Sequence, residues 1–596
     1  MSTAQSLDMR QTEKNEVDPI TLEIIRNSML RTCEEMKVVV TRSAYSTVIY
    51  EVLDYSCGLF DAEGNILAEQ SGIPIFLANI GYVIRAADEI IGFENLEPGD
   101  VVVSNDPYAG GSHLPDTTTI LPIFDDDGLL GFAGFRAHLL DWGGKAPGGM
   151  FNDTTEIFQE GLIIPPVKLY QRGVPNPDVF RILEANNRVP RLNTGDLRAL
   201  VSGSRVGAER VSELANKYGG SYLRQAFTEL FDRGEHAHRQ AITTIPDGVY
   251  RAEAMQDGTG DDAAPIDAPF KICLTITVKN DKMHVDFAGT ADQLRGSQNV
   301  PYHATIAATR AAYKYFVAPE YLNNEGCFRP LTIDVPEGSM LWPKKPAPVS
   351  NYPSPLVTLI ELFQRALADA VPERVIAGTF GDICCCFYYG TDAESGGQFI
   401  SAEPEGGGYG AAHDRDGESA LVAPLDGDTY NIPGEIAETK YPIYLKRYEL
   451  IPDSGGPGRW RGGLGVYREF EVPPGQTVGT IFTFERENDP SWGLFDGKGG
   501  APNHVVLNPG SANERRVNKL TDHWMSAGEV FSTRTGGGGG WGDPLEREVE
   551  RVAEDVRYGF VTVEGARRDY GVVIQPDTFK VDLVETDHLR KEMATS

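Results

Sequence analysis

The sequence predicts an α+β protein, a large multi-layer mixed α and β fold, and three observations carry that reading. Its 596 residues are 41% hydrophobic, enough to bury several cores, and a prior of roughly 150 residues per domain gives about three or four structural units. Segments with apolar residues at helical spacing interleave with short runs whose apolar residues alternate in the manner of strands. Beyond the helical pattern that ends near Ala370, the chain turns Gly-rich up to Asp543 while keeping strand-like runs, which reads as a β region with tight connections.

In chain order, residues 1–17 are polar and read as a disordered N-terminus without the basic head and apolar run of a signal peptide. Asp18-Pro19 reads as an N-cap and first-turn proline. They open an amphipathic helix to about Val40 on which Ile20, Ile24, Met29, Cys33 and Met36 recur. Asp54 to Glu69 has the pattern of a hairpin turning at Ala62-Glu63-Gly64. A helix is expected at about Leu77 to Ile91, and a strand at Val101-Val102-Val103 after the turn Glu97-Pro98-Gly99-Asp100. Two more strands, Thr119 to Phe124 and Leu129 to Leu140, stand amid Gly, Pro, Asp and His between Asn105 and Gly149. Helices follow over about Pro177 to Arg239, strands over Phe270 to Asp286, and helices over Tyr302 to Phe316 and Leu356 to Ala370. A charged helical tail, Pro544 to Tyr570, ends in a short β-like piece. Boundaries near 240 and 445 divide the chain into a site-bearing region with helices (18–240), a mixed region (241–445) and a Gly-rich β region with the tail (446–596).

Lys and Arg total 54 against 86 Asp and Glu, a formal net charge of −32. That field repels phosphate backbones and anionic lipid, which argues against nucleic acid or membrane as partners, yet a few cations focused in one cleft would still admit an anionic small molecule. Seven Cys, an odd number without framework spacing, fit a reducing cytoplasm better than a secreted disulfide scaffold. The run Cys384-Cys385-Cys386, in the apolar stretch Ile383 to Tyr389, reads as buried, inert thiols on a strand. No apolar stretch reaches the roughly 18 residues that would span a bilayer, so a soluble, cytoplasmic protein is expected.

The segment richest in chemistry is Asn105-Asp106-Pro107-Tyr108-Ala109-Gly110-Gly111-Ser112-His113-Leu114-Pro115-Asp116, with His138 following 25 residues after His113 in Ala137-His138-Leu139-Leu140-Asp141-Trp142-Gly143-Gly144. A His and an Asp three apart in a loop shaped by Gly and Pro can converge on one cation, and a second His from a neighbouring strand end can complete a face of its coordination sphere. Two imidazoles and one carboxylate leave positions open for water and substrate, as a catalytic ion requires. The spacing alone leaves another reading open, in which Asp106 and Asp116 make Asx turns beside prolines and the histidines satisfy local hydrogen bonds.

The string Asn-Asp-Pro-Tyr-x-Gly-Gly-Ser-His-x-Pro-Asp resembles the signature of the hydantoinase B and oxoprolinase family, which includes subunits of acetone and acetophenone carboxylases. The resemblance extends over nearly the whole chain. It includes Asp54-Tyr55-Ser56-Cys57, Gln159-Glu160-Gly161 with Ile164-Pro165-Pro166-Val167-Lys168-Leu169, and Asn324-Glu325-Gly326-Cys327-Phe328-Arg329-Pro330. Later come the run from Pro452 to Gly463 and the run from Gly536 to Pro544. What it implies is a hydantoinase B-like fold with a divalent ion, Zn or Mn, held by His113, Asp116 and His138. Asp141 and Asp106 stand as further ligands or as partners that orient an imidazole. With Glu160 they are the carboxyl groups expected to take catalytic parts. The resemblance further implies a hetero-oligomer with a hydantoinase A-like subunit that binds ATP and Mg. Two positions depart from the pattern of many hydantoinase-like members: Leu139 and Phe76 stand where those members have histidines.

Other features carry less. The Gly536 to Gly540 run reads as flexible backbone beside a core rather than an anion cradle, and no Gly-x-x-x-x-Gly-Lys-Ser/Thr loop occurs. Lys168, Arg329, Arg459 and Arg461 read as ordinary salt-bridge formers. Glu156 and Glu160 are acid or base candidates if desolvated. His236 and His238, two apart near a helix end, do not share a helical face and are expected to face solvent.

Three functions remain open at this level: ATP-dependent hydrolysis of a cyclic amide of hydantoin, oxoproline or lactam type; ATP-dependent carboxylation of a ketone; and a non-catalytic scaffold of such a complex. For the metal reading to hold, the ring nitrogens of His113 and His138 must lie well within about 10 Å of each other, since metal to imidazole bonds are about 2.0 to 2.1 Å. Because the chain has no phosphate loop, the purified polypeptide by itself is expected to release little or no phosphate from ATP, with or without a cyclic amide present. Robust substrate-stimulated ATP turnover by this chain alone would contradict the division of labour.

Overall fold

Asp18 caps the first helix as predicted: its carboxylate accepts the Thr21 backbone N–H, and α1 runs from Pro19 to Ser43 in the computed structural model, which describes residues 17–69 and 72–595. The expectation for residues 1–17 therefore lies outside the described residues, Val17 excepted. The buried stripe of α1 is Leu22, Ile25, Met29, Cys33, Met36 and Val40, whereas Ile20 and Ile24 face outward. The predicted face is thus rotated at its first turn, where either side of the helix offers isoleucine or leucine. Helix α2, Pro74–Ile91, starts one turn earlier than expected because Pro74 supplies its first-turn proline.

The strands that follow build an antiparallel sheet: β1 (Tyr55–Asp61), β2 (Ile66–Glu69), β3 (Val101–Ser104), β4 (Asp116–Asp125), β5 (Gly128–His138), β6 (Val167–Gln171) and β7 (Val174–Pro175). They pair in the order β2-β1-β5-β4-β3-β6-β7, so β5 lies between β1 and β4. Both faces are covered. Helix α1 and helix α3, Pro190–Tyr218, pack on one side, and α2 packs on the other. The alternation of β5 fits this sandwich: Ala133, Phe135 and Ala137 belong with the α1 and α3 side, while Phe132 packs with Ile80, Ile84 and Ile120 on the α2 side. By the same period of two, His138 emerges on the α2 side, at the last residue of the strand.

The helix Tyr302–Phe316 lies against α2 and carries the layering onward to Pro353–Leu367, which packs on a second sheet of strands 248–256, 270–279, 282–286 and 331–334. The Gly-rich region forms two more sheets. One consists of 385–391, 398–403, 477–483 and 519–526, and the other of 444–450, 466–471, 504–507, 515–517 and 530–534. The fold is the multi-layer mixed α and β architecture the sequence predicts. Among the described residues, no helix is long and apolar enough to cross a membrane.

The thiols of Cys384, Cys385 and Cys386 are buried and pushed well above their ordinary range by that burial, so they are inert as expected. His238 is buried, contrary to the solvent-facing reading. It lies on the inward face of the helix Gly220–Ile242, its Nδ1 pairs with Tyr313 Oη at 3.1 Å, and burial pushes it down to about 3. The expected β-like piece after Tyr570 is reduced to one antiparallel bridge between Ile574 and Val581, and the chain then turns helical: Asp582 accepts the backbone N–H groups of Val584 and Glu585 and starts a helix over Leu583–Met593.

The glycine run also differs from its expectation. Gly536 to Gly540 are buried and hydrogen-bonded to other glycine-bearing segments: Gly538 N–H donates to Gly463 O, Gly539 N–H to Gly378 O and Gly456 N–H to Gly538 O. The run is a packed element in which bare backbones approach closer than any side chain permits. A Cβ at Gly539 would lie 1.9 Å from Trp492 O, a backbone atom that cannot swing aside. Gly539→Ala should therefore destabilise the protein by about 1–3 kcal/mol or more through overpacking. Its midpoint in thermal or urea unfolding should fall measurably below wild type; an unchanged midpoint would mean that this layer is as loose as a linker.

Candidate metal centre

The site is built where three strands end side by side. Asp116 opens β4, His138 closes β5, and the two are direct cross-strand partners. On the other side of β5, the His138 N–H donates to the backbone oxygen of Asp54, just before Tyr55 pairs with Ala137. Asp54, His138 and Asp116 thus form a row across neighbouring strands, a register that sets Cβ atoms about 4.5–5.5 Å apart on one face.

His113 reaches this row from the loop between β3 and β4. Asp106 caps a short turn by accepting the Tyr108 N–H, the Gly111 N–H returns to Asp106 O, and the Asp116 N–H returns to His113 O. Asn105 Nδ2 ties the loop to Leu114 O and Leu162 O, and Arg136 donates to Gly110 O. The loop is folded back on the sheet and cannot move independently of it.

His113 Nε2 lies 2.9 Å from Asp116 Oδ1 and 3.3 Å from His138 Nδ1, and His138 Nδ1 lies 3.6 Å from the same Asp116 oxygen. The expectation about the ring nitrogens is met with a wide margin. His113 Nδ1 is 2.9 Å from Ser350 O, which has only lone pairs to offer, so Nδ1 carries a hydrogen and Nε2 is the nitrogen that faces the cluster. Three atoms able to bind a metal therefore face one another. Their separations match the edges of a polyhedron about an ion bonded at about 2.1 Å, roughly 3.0 Å if octahedral and 3.4 Å if tetrahedral. Among the described residues these are the His, Cys, Asp or Glu side chains that come together in this way. The donor set fits a divalent cation, and all three side chains are buried.

The surroundings hold Asp116 as a carboxylate. Burial opposes its charge, but the imidazoles of His113 and His138 outweigh that cost and keep the carboxyl well below its usual range. Its other oxygen, Oδ2, accepts from Ser112 Oγ at 2.6 Å and from Tyr352 Oη at 2.7 Å. Asp54 is different. Burial pushes its carboxyl up to about 7, partly relieved by His138 and aggravated by Asp116 and Asp426.

A cavity of about 50 Å³ opens beside the cluster, with Asp54, Phe76, Tyr352, Cys385, Phe387 and Asp426 in its wall. The volume suits a few waters or the amide group of a larger ligand.

The carboxyl groups expected to join the triad do not do so. Asp141 is buried but binds Arg188 through both side-chain oxygens, taking its backbone N–H and its guanidinium at 2.7 Å each. Asp106 serves its turn. Glu160, buried and pushed up to about 7, accepts from the Val349 and Ser350 N–H groups and from Thr154. It thereby fixes the segment whose Ser350 carbonyl orients His113, and it acts on the centre only through that carbonyl. Glu156 is exposed. Lys168, Arg329, Arg459 and Arg461 face Asp100, Asp232, Glu546 and Asp555 as ordinary ion pairs.

Sequence reasoning missed Asp54, Tyr352 and Asp426. Asp54 stood in the quoted string Asp54-Tyr55-Ser56-Cys57, but only strand register brings it beside His138. Tyr352 and Asp426 come from distant loops and left no local signal. Of the two departures, Phe76 does line the cavity, whereas Leu139 is buried in the main core and its N–H pairs with Pro115 O.

Fold and site together define a layered protein whose central sheet ends in a buried two-histidine, one-carboxylate cluster. The family model described as Hydantoinase B/oxoprolinase matches residues 18–544, and the chain belongs to that family of enzymes. It is 33% identical over 597 residues to the B component of a putative D-/L-hydantoinase from a Pseudomonas species, covering 97% of this chain and 99% of that one. It is 32% identical over 591 residues to the beta component of the caprolactamase of Pseudomonas jessenii, covering 94% and 97%. The crystal structure of ATP-dependent caprolactamase from that organism superposes with a TM-score of 0.90 at 30% identity, over 97% of this chain and 100% of that one. A nucleotide-free acetone carboxylase shares the fold, with a TM-score of 0.89 at 21% identity over 98% of this chain and 84% of that one.

Tyr352→Phe removes one of the two hydroxyls that fix Asp116 and leaves the three donor side chains in place. Metal affinity should weaken by roughly 10- to 100-fold, the usual cost of losing an outer partner of a ligand. Competition with a chelator, read by elemental analysis, would check this; an unchanged affinity would show that the Tyr352 hydroxyl does not order the centre.

Proposed function

We propose that this chain is the metal-binding catalytic subunit of a cytoplasmic ATP-dependent amidohydrolase complex that opens a cyclic amide of the hydantoin, oxoproline or lactam class. The observation that carries the reading is the convergence of His113 Nε2, Asp116 Oδ1 and His138 Nδ1, three potential ligand atoms within 4.8 Å of one another beside a cavity. ATP is used by a partner of the hydantoinase A type, with Mg. That division is supported by the names of the relatives, which mark them as the B and beta components of their enzymes, and by the lack of a phosphate loop in this sequence.

His113, Asp116 and His138 would hold the divalent ion, Zn or Mn, with Asp54 as the nearest further oxygen donor in the row. When bound, such an ion supplies polarisation of a carbonyl oxygen and a lowered pKa for water. The protein's own groups do the rest. Ser350 O and Asp116 keep the His113 ring in one orientation. Phe76 and Phe387 close the cavity with apolar surface, which keeps bulk water out and strengthens the electrostatics inside.

Phe76 also favours a second reading, carboxylation of a ketone, because an apolar wall in place of a histidine removes a proton carrier from the cavity. The two readings separate on products: an amine and a carboxylate from a cyclic amide, or a keto acid from a ketone and bicarbonate.

The test is His113→Ala, with Asp116→Ala beside it, in the complex assembled with its ATP-using partner. Both variants should lose the bound metal, and turnover should fall by more than the 10- to 100-fold of an outer-partner loss, while His113→Ala keeps its partner and a cooperative thermal transition. Asp116 is buried at the start of a central strand and holds two hydroxyls, so its alanine variant should also melt earlier. Full metal and full activity in both variants would remove the basis of the reading.

A further inference from the structure

The cavity holds a carboxyl group that the metal reading does not use. Asp426 is 6% exposed and lies in the cavity wall, and its Oδ2 is buried without any hydrogen-bond partner. Thr429 Oγ1, in the same wall, is likewise buried and unpartnered. Unpaired buried polar atoms are costly, and two from one turn beside one cavity mark a place where a polar ligand belongs.

The turn that carries them is held firmly. The Asp426 N–H returns to Ala423 O, the Tyr430 N–H reaches Val52 O, and Asp428 is paired with Lys37 at 2.6 Å. Gly427, at φ 56°, sits so near the backbone of residue 72 that a Cβ would lie 2.2 Å from Gly72 O. Residues 426 and 429 are therefore held by rigid backbone in the wall of the same cavity that Asp116 and His138 line.

We propose that Asp426 is the acid that protonates the amide nitrogen as the ring opens, with Thr429 placing that nitrogen. The inference rests on the cyclic amide reading above. In the step, a water oxygen bonds to the amide carbon and one water proton is released. The carbon–nitrogen bond breaks with its electron pair going to nitrogen, nitrogen takes the Asp426 proton, and the Asp426 carboxylate recovers the proton that water released. The ring opens to a carboxylic acid and an amine, and Asp426 is back in its starting state. A phosphoryl group placed by the partner on the carbonyl oxygen would stay on oxygen through this exchange, so that the first products are then the amine and an acyl phosphate, which a second water cleaves to the carboxylic acid and inorganic phosphate.

The protonated form is the one the surroundings favour at neutral pH, since burial, Asp382 and Asp116 push Asp426 up to about 8. The other titratable groups in the wall are Asp54, His113, Asp116, His138, Tyr352, Cys385 and Glu403. Of these, Tyr352 and Cys385 are pushed well above their ordinary ranges by burial and do not ionise near pH 8.

The experiment is Asp426→Asn in the assembled complex, measured with a cyclic amide such as caprolactam, 5-oxoproline or hydantoin. Asparagine keeps shape and hydrogen bonding but gives up no proton. We expect kcat to fall on the order of 100-fold or more, the usual weight of general acid catalysis, with KM within about threefold, bound metal unchanged and a Tm equal to or above wild type. In wild type, kcat should decline as pH rises through about 8, where the acid form is lost, and the variant should lack that limb. A merely structural carboxyl would instead lower Tm and leave the pH profile alone. If Asp426→Asn retains wild-type kcat while His113→Ala is inactive, this inference fails and the metal reading stands. If Asp426→Asn loses the metal, Asp426 is a ligand and the assignment as acid is overturned. If the wild-type complex opens no cyclic amide, both readings fall together.

Discussion

The constraint on which the site depends is the register between β4 and β5. Pairing Asp116 with His138 puts two donors from opposite ends of a 23-residue stretch on one face of one sheet, and the same ladder continued to β1 adds Asp54. A slip of one residue would turn His138 to the other face, toward α1 and α3. The hydrophobic alternation of β5 prevents it, because Phe132 and Phe135 would then exchange the pockets that fit them. The packing of the core is thus what aims the imidazole.

That dependence explains what was legible in the sequence. Element types were readable because their causes are local: Asp18-Pro19 announces a helix, and alternation with turn residues announces β4 and β5. The triad was readable because two of its members lie within one loop and the third closes the next strand. Asp141 and Asp106 were plausible by proximity in sequence, but one turns to Arg188 and the other to its own turn. Asp54, Tyr352 and Asp426 were invisible because only tertiary register and loop packing bring them near. The glycine run misled for a related reason. Bare backbone reads as freedom when nothing packs on it, and here segments from several distant parts of the chain do.

The loop bearing His113 is part of a longer connection. Glu160 binds the Ser350 N–H, the Ser350 carbonyl fixes His113, and two residues on, Tyr352 holds Asp116 before the helix Pro353–Leu367 begins. One short segment therefore orients His113 and Asp116 from outside the sheet, while β4 and β5 orient Asp116 and His138 from within. Such over-determination is what a preorganised metal site requires, since donors that collapse onto one another without an ion would hold it poorly.

The charge of the cavity follows from which acids are given donors. Asp54, Asp116 and Asp426 share it with Glu403, whose carboxylate is paired with Arg468 at 3.1 Å, and unpaired carboxylates in so little space would repel one another strongly. Only Asp116 has both hydroxyl donors and imidazoles, and only Asp116 is pushed below its ordinary range; Asp54 is pushed up to about 7 and Asp426 to about 8. Near neutral pH the centre therefore presents one firm carboxylate, one that titrates and one that keeps its proton. Asp54 continues the row that holds His138 and Asp116, so a divalent ion between the histidines would act on its carboxyl directly, whereas Asp426 comes from a separate turn in the cavity wall. Two carboxyl groups with different surroundings are thereby set to different tasks by burial and hydrogen bonding alone, although the sequence writes them with the same letter.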